Sequence, residues 1–342
     1  MPCAAAKTIV TTNPAVSAII VNWNGAHHLS ICLPSLRAQT LTSLEIIVVD
    51  NGSKDDSEAI TQEFQARWLP LGKNVGLAPA LNRGAEIAAG DFLLFINNDM
   101  RFDPGFVAAL IEPLKRNEKA FATDGMQFNW DGSERAHLAS RLTKRKPSGP
   151  STELVPGLYF YQQEEREKSS AFMASAASMV VRRGLFQELR GFDERLPLGY
   201  EDVEICWRAW LRGWKTVYVP EAVCWHRVGS SGRSLEGMRM NFRGILRGRL
   251  LLATKFLPLR YAVNTWLVSI AGLLKDIGRL RWAFAVDRLQ VLRQTAALVP
   301  QLLREGKMLL GDAGITREQQ LNFMLRLPDT RSGDSSVATR GS

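Results

Sequence analysis

The apolar positions of the first 130 residues fall into short, nearly unbroken runs separated by longer stretches of mixed character. Residues 18–21 (Ala-Ile-Ile-Val), 44–49 (Leu-Glu-Ile-Ile-Val-Val) and 92–96 (Phe-Leu-Leu-Phe-Ile) are such runs, and each stops at a polar residue. Runs that are apolar at successive positions are those of strands covered on both faces, as in a parallel sheet. Between them, residues 29–38, 57–67 and 77–89 read as helices. Strand, helix and strand repeated in this way predict an α/β domain with a mostly parallel central sheet flanked by helices. Ligands of such sheets bind beyond the carboxyl ends of the strands, where the polar residues collect here.

Farther along, the pattern changes twice. Residues 139–170 are polar and basic with interspersed Pro and Gly, and predict an excursion or mobile loop. A strand is expected over 174–181, and two short strands over 215–219 and 222–225. Beyond Ser230, Arg and Leu alternate in blocks that predict helices over 242–257, 280–292 and 299–310. The longest charge-free stretch there, 261–274, is fourteen residues with Asn264 inside it. That is short of the about 20 apolar residues of a membrane span. The first thirteen residues lack the pattern of a signal peptide. The expected organisation is an N-terminal extension (1–15), an α/β domain (16–232), a basic helical region (233–327) and a polar, disordered tail (328–342).

With 342 residues, 46% of them hydrophobic and 23% charged, the chain has ample material for a core. Cys3, Cys32, Cys206 and Cys224 are scattered without CxxC spacing, which argues against a zinc knuckle or disulfide framework and fits a reducing cytoplasm. The charge is concentrated: residues 227–312 hold fifteen Lys/Arg against five Asp/Glu, while the whole chain is only +9. A basic region of this kind points to an anionic surface such as phospholipid headgroups, or to a packing or dimerisation module with a solvated basic face. Nucleic acid is not expected, because no stacking motif or recognition helix accompanies the charge.

Five features carry chemistry. Asp50, at the end of the second strand in Asp50-Asn51-Gly52-Ser53, can accept from a base imide or a ribose hydroxyl; a turn capped by an Asx side chain looks the same. Gly76 in Asn74-Val75-Gly76-Leu77-Ala78 lets the backbone approach a phosphate or ribose. Asn97-Asn98-Asp99 follows the third strand, where an acid can hold a divalent cation completed by a diphosphate and water; a turn or helix cap is the plainer reading. His226, after a short strand and before Gly229-Ser230-Ser231, is a candidate second ligand or phosphate contact. Glu201, Asp202 and Glu204 follow Pro197-Leu198-Gly199, so they begin a helix. The partial positive charge of a helix start is expected to keep them ionised at neutral pH, as a proton-accepting carboxylate requires, although ordinary helix-start acids have this pattern too.

In this order, these motifs resemble the family-2 glycosyltransferases with the GT-A fold. They are most similar to the non-processive bacterial branch that includes rhamnosyltransferases. The matching residues are Val21-Asn22-Trp23-Asn24-Gly25, Val48-Val49-Asp50-Asn51-Gly52-Ser53, Asn74 to Ala78 with Asn82, Asn97-Asn98-Asp99, Gly191-Phe192-Asp193-Glu194, Glu201-Asp202 and His226 with its Gly/Ser loop. The resemblance implies a nucleoside-diphosphate-sugar donor (dTDP-rhamnose first, UDP-sugars behind it) bound by Asn22, Asp50, Asn51, Gly76, Asn82 and Asn98. It implies Mg²⁺ or Mn²⁺ at Asp99 and His226, with Asn97 standing where the family's DxD pattern has its first acid. Asp202 would be the base, with Glu201 beside it, in an inverting transfer. The acceptor would be a glycan or polyprenyl-linked glycan of cell-surface polysaccharide synthesis, and the enzyme cytoplasmic and peripheral on the inner face of the plasma membrane. Leu211-Arg212-Gly213-Trp214 only echoes the QxxRW motif of processive synthases, so single-sugar transfer is expected.

Three rivals fit less well. A sugar-phosphate nucleotidyltransferase would follow its first strand with an Arg-containing Gly-rich loop, and a dinucleotide oxidoreductase with GxGxxG; the chain has Asn22-Trp23-Asn24-Gly25 there. A non-catalytic carbohydrate-binding or membrane-associated protein with the same fold would not need Asp99, Asp202 and His226 together.

Overall fold

The computed structural model describes residues 14–149, 151–196, 198–227 and 235–327. The Gly229-Ser230-Ser231 loop, Pro197, and the expectations for the first thirteen residues and the tail lie outside the described residues.

The N-terminal half alternates as the pattern predicts: β1 (Val16–Asn22), α1 (Ala26–Arg37), β2 (Leu44–Asp50), α2 (Ser57–Glu63), β3 (Arg67–Pro70), α3 (Leu77–Ile87) and β4 (Phe92–Asn97). β1 pairs in parallel with β2 and β4, and β2 with β3. Alternate side chains of these strands enter two different cores. Ile19, Ile47, Val49, Leu93 and Phe95 face one; Val16, Ala18, Ile20, Val48, Leu94 and Ile96 face the other. That two-sided burial explains why the runs are apolar at every position. The expected helix over 57–67 stops at Glu63, because Gln65 turns left-handed (φ 52°) and sends 67–70 back as an edge strand.

Next come β5 (Met100–Phe102), α4 (Phe106–Arg116), β6 (Ala120–Asn129) and β7 (Arg135–His137). The expected loop over 139–170 is instead β8 (Ala139–Thr143), β9 (Ser151–Val155) and β10 (Leu158–Gln163), a separate antiparallel sheet, followed by β11 (Ser169–Ser170). Leu142, Leu154, Val155 and Leu158 of this sheet are buried, and Gly157 (φ 81°) makes the β9–β10 turn. β12 (Ser178–Arg182) and α5 (Arg183–Glu188) lead to α6 (Glu201–Leu211) and β13 (Lys215–His226). β13 was expected as two strands; it is one, with a register shift between Val219 and Val223 that accommodates Pro220. The main sheet runs β11-β13-β6-β12-β4-β1-β2-β3, with β5 on β13 and β7 on β6. It is mixed and mostly parallel, because β12 runs antiparallel between β4 and β6.

The helical region comprises α7 (Leu235–Phe256), α8 (Leu259–Gly278), α9 (Trp282–Asp312) and α10 (Arg317–Met324). Sequence reading missed α8, and it divided α9 in two although Pro300 sits inside a continuous helix. No helix among the described residues is long and apolar enough to cross a membrane. The boundary expected at 232/233 does not divide the core: Leu252, Ala253, Phe256, Leu310 and Leu321 pack in one cluster with Trp207, Phe172 and Phe95. Charge reinforces this union. Glu204, fully buried in α6, is gripped by Arg208 (2.6 Å) and by Lys255 of α7 (2.7 Å), and Lys255 also reaches Asp193 and Glu305, each at 3.4 Å. The third acid of the 201–204 segment is therefore a packing element.

Candidate active site

Parallel pairing brings the polar strand ends together: Asn22 lies opposite Asp50, and Val21 opposite Asn97. Asp50 is buried, and its carboxylate accepts from the backbone N–H of Gly52 (3.1 Å) and Ser53 (3.0 Å), so it closes its own turn around Gly52 (φ 84°). Asn22 is fully buried and occupied within the protein: its amide donates to Ser57 (2.8 Å) and its oxygen accepts from Asn98 (2.7 Å). Asn82 is likewise engaged, donating to the Phe192 carbonyl (3.0 Å) and Glu194 (3.1 Å) and accepting from the Phe192 N–H (2.9 Å). Asn22, Asp50 and Asn82, expected to bind the donor, are not among the residues lining the cleft; their side chains are engaged within the protein instead.

That cleft, of about 940 Å³, opens over the strand ends and is lined by Asn51, Gly76, Asn98 and Asp99 among the expected residues. Asn51 ties its two loops together, donating to the Gly76 carbonyl (3.1 Å) and accepting from the Val75 N–H (3.0 Å). Gly76 has φ 96°, a conformation side chains disfavour, and leaves the backbone bare at the wall. Pairing of Met100 with His226 sets Asp99 beside that histidine, and Nε2 of His226 lies 3.2 Å from Oδ1 of Asp99. Nδ2 of Asn97 lies 3.4 Å from the same ring nitrogen, to which it can donate when that nitrogen carries no proton.

Glu201 and Asp202 are not among the residues lining the cleft, although Leu198, three positions before Glu201, is. Their electrostatics reverse the expectation of helix-start ionisation. Burial, reinforced by the charge of Asp202, pushes Glu201 up to about 8, and one of its carboxyl oxygens has no hydrogen-bond partner among the described residues. Burial also raises Asp202, against the pull of the Val203 N–H (2.8 Å), the Ala176 N–H (3.4 Å) and His137. Desolvation outweighs the helix terminus here. The pair titrates as a unit held nearer neutrality than two solvated acids would be.

Two neighbours of this pair were missed by sequence reasoning. His137 Nε2 lies 2.6 Å from Oδ2 of buried Asp124, which also accepts from Ser178 (2.7 Å) and the Ser175 N–H (2.8 Å). Burial alone would lower His137, but Asp124, with Asp202 beyond it, raises it. Neither residue belongs to a spaced motif, so only the fold reveals them. The other omission is the far wall of the cleft, supplied by Arg243 and Arg247 of α7 and by Gln290 and Gln294 of α9. α7 comes this close because Gly244 and Gly248 face the loop before α6. A Cβ on Gly244 would lie 2.2 Å from the Leu198 carbonyl, and one on Gly248 would lie 2.5 Å from the Tyr200 ring.

The comparisons with known proteins agree with this geometry. The profile described as "Glycosyl transferase family 2" matches residues 17–190, a little over half of the chain. The N-acetylglucosaminyl-diphospho-decaprenol L-rhamnosyltransferase of Mycobacterium tuberculosis (strain ATCC 25618 / H37Rv) is 30% identical over 241 residues, 63% of this chain and 77% of that protein. Putative glycosyltransferase EpsH of Bacillus subtilis (strain 168) is 35% identical over 102 residues, covering 29% of this chain and 30% of its own. Among solved structures, GalNAc-T7 with UDP, GalNAc and Mn²⁺ superposes with a TM-score of 0.56 at 18% identity, over 72% of this chain and 48% of that one. Mannosyltransferase PcManGT from Pyrobaculum calidifontis, with GDP-Man and Mn²⁺, gives 0.52 at 16% identity over 91% and 86%. Both share the fold, a GT-A glycosyltransferase architecture. With the ordered motifs, the cleft at the strand ends and the matched profile, the chain belongs to glycosyl transferase family 2 and is a glycosyltransferase.

Proposed function

We propose that the protein transfers one sugar, with inversion, from a nucleoside-diphosphate sugar to a hydroxyl of a glycan or polyprenyl-linked glycan. Rhamnose is the first choice of sugar, because the relative matched over 77% of its length is named as a rhamnosyltransferase acting on a diphospho-decaprenol acceptor. The observation that carries the reading is Asp99, which lines a cleft whose volume suits a nucleotide-sized ligand and has His226 3.2 Å behind it as a second donor, although His226 itself is not among the lining residues. Asn51, Gly76 and Asn98 line the part of the cleft where the nucleotide would lie, and Asp50 shapes their loop.

The residues fit a divalent cation. One carboxylate and one imidazole are oxygen and nitrogen donors that Mn²⁺ or Mg²⁺ accepts, and no cluster of three protein ligands exists among the described residues. Such a set suits an ion whose remaining ligands are phosphate oxygens and water. When bound there it would offset negative charge growing on the departing diphosphate. The chain's own part is proton transfer. Asp202 takes the proton of the acceptor hydroxyl, the oxygen forms its bond to the anomeric carbon, and the bond to the nucleoside diphosphate breaks on the opposite side. Glu201, neutral up to about pH 8, leaves the negative charge on its neighbour. A panel of nucleotide sugars, with Mn²⁺ or with EDTA, tests this reading. Release of nucleoside diphosphate from none of them would refute it.

The acceptor reading favours a membrane surface for the helical region. Val263, Leu267, Ile270, Leu274 and Ile277 recur at three- and four-residue steps on α8, all exposed, and Leu280 (73%) and Trp282 (58%) extend the ridge. Lys275 and Arg279 stand beside it. An apolar ridge with basic flanks and an exposed Trp suits the interface of an anionic bilayer on the inner face of the plasma membrane. A second copy of the chain packed on the same ridge is the alternative outcome.

A further inference from the structure

The helical wall of the cleft carries one cation, Arg247, that is not neutralised among the described residues. Arg239 and Arg243 of α7 are both bound to Asp287, at 2.7 and 3.0 Å. Arg249, on the same helix, donates to the Glu153 carbonyl (2.7 Å) and to Tyr200 (3.3 Å). Arg247 differs from all three. It lines the cleft, and among the described residues no carboxylate lies within ion-pairing distance of it. Its Nη2 donates to the neutral amide of Gln294 (3.0 Å), while its buried Nε has no partner.

The carboxylate whose field favours the Arg247 charge, Asp193, is already committed to Arg195 (2.5 Å) and Lys255 (3.4 Å). Burial accordingly lowers the Arg247 pKa, yet an arginine stays protonated at any physiological pH. A half-buried, always-charged guanidinium with a spare donor is costly unless an anion joins it. The cleft supplies the place for one. Arg227 lines it too, and Gln290 beside Gln294 offers a further neutral donor.

We propose that Arg247, oriented by Gln294, is the anion receptor of the cleft and pairs with the oxygens of a diphosphate. The planar fork of a guanidinium matches two phosphate oxygens at once, which a lone ammonium cannot do. This rests on the reading of the ligands as phosphate-linked sugars. Two diphosphates could occupy the position: the one leaving the donor, and the one joining a sugar to a polyprenyl acceptor.

Calorimetric titration of inorganic pyrophosphate into the full chain, in EDTA at low salt, tests the receptor without metal or sugar. Wild-type protein is expected to bind, Arg247→Gln to weaken binding tenfold or more, and Arg247→Lys to lose less. Gln294→Leu, which removes only the support, should fall between wild type and Arg247→Gln and guards against a folding defect in the arginine variants. Arg304→Gln, at an exposed position of α9, should bind within threefold of wild type. Absence of wild-type binding, or equal affinity in Arg247→Gln, overturns the proposal.

Two further rates assign the source. Loss of donor hydrolysis without acceptor, tenfold or more in Arg247→Gln, marks the donor diphosphate. Unchanged hydrolysis with a raised KM for a polyprenyl-diphosphate acceptor marks the other. Equality in both rates overturns the proposal even if pyrophosphate binds. Arg247-dependent pyrophosphate binding in a protein that turns over no nucleotide sugar would keep the anion site and discard the donor reading instead.

Discussion

Replacement of Gly248 by alanine should damage catalysis although the residue touches no ligand. A Cβ there would lie 2.5–2.7 Å from Cγ, Cδ2 and Cβ of Tyr200. Comfortable carbon contacts need about 3.5–4.0 Å, so something must move by about 1 Å. The ring is poorly able to yield. Its hydroxyl donates to the Leu154 carbonyl (2.8 Å) and receives Arg249 (3.3 Å), and the backbone is already left-handed (φ 70°). The displacement therefore passes to Glu201 and Asp202, the next two residues. Alanine gains about 1 kcal/mol of helix propensity over glycine, against an overpacking cost of about 1–3 kcal/mol. Stability should fall by no more than about 2 kcal/mol, the larger cost less that gain. A catalytic group misplaced by about 1 Å costs on the order of 100-fold in rate. Activity should thus fall far more than stability does. The assay is nucleoside-diphosphate release at saturating donor, beside urea denaturation. Gly311→Ala, where a Cβ meets nothing within 4 Å, is the control and should keep full activity. A Gly248→Ala enzyme with wild-type kcat would refute the claim that α7 sets the position of the acidic pair.

Two more expectations follow from the burial of charge and of apolar surface. Because Glu201 is raised in the folded protein from 4.5 to about 8, the native state holds its proton where the unfolded chain has lost it. Its contribution to stability is complete below about pH 4.5 and is lost as pH rises toward 8, so Glu201→Gln should flatten the fall in urea stability between those values. An equally steep fall in the variant would contradict the shift. On the membrane side, Leu267→Asp with Leu274→Asp should abolish co-sedimentation with anionic vesicles while leaving transfer to a water-soluble acceptor intact. A dimer that these substitutions convert to monomer, with no vesicle binding by wild type, would assign the ridge to a second copy.

The sheet was legible because its strands are buried on both faces, so β1, β2 and β4 advertise themselves as continuous apolar runs. β8 to β10 were hidden for the opposite reason. They are rich in Ser, Thr, Gln and Glu even where they are buried, as at Ser140 and Arg141 of β8, and contain few apolar residues, which makes them read as loop. The motif residues were found in the right order, but their roles were less readable. Asn22, Asp50 and Asn82 look like ligand contacts in a sequence, whereas the structure shows their side chains bonded within the protein, Asn22 to Ser57 and Asn98 and the other two to backbone N–H groups. The sign of the Glu201 and Asp202 shifts was misread because a helix start is visible in sequence and desolvation is not. Arg247 carried no signal among the eighteen Lys/Arg that follow Arg227 in the basic region and tail beyond the fact of being basic; its distinction is the lack of a counterion among the described residues in three dimensions.

Asp202→Asn decides the central claim. The substitution keeps size and shape while removing the proton acceptor, so donor binding, measured as calorimetric affinity for the productive nucleotide sugar, should stay within a few-fold of wild type. Transfer to the acceptor should drop by three orders of magnitude or more, about 4 kcal/mol of lost transition-state stabilisation. Wild-type turnover by Asp202→Asn would show that the base lies elsewhere.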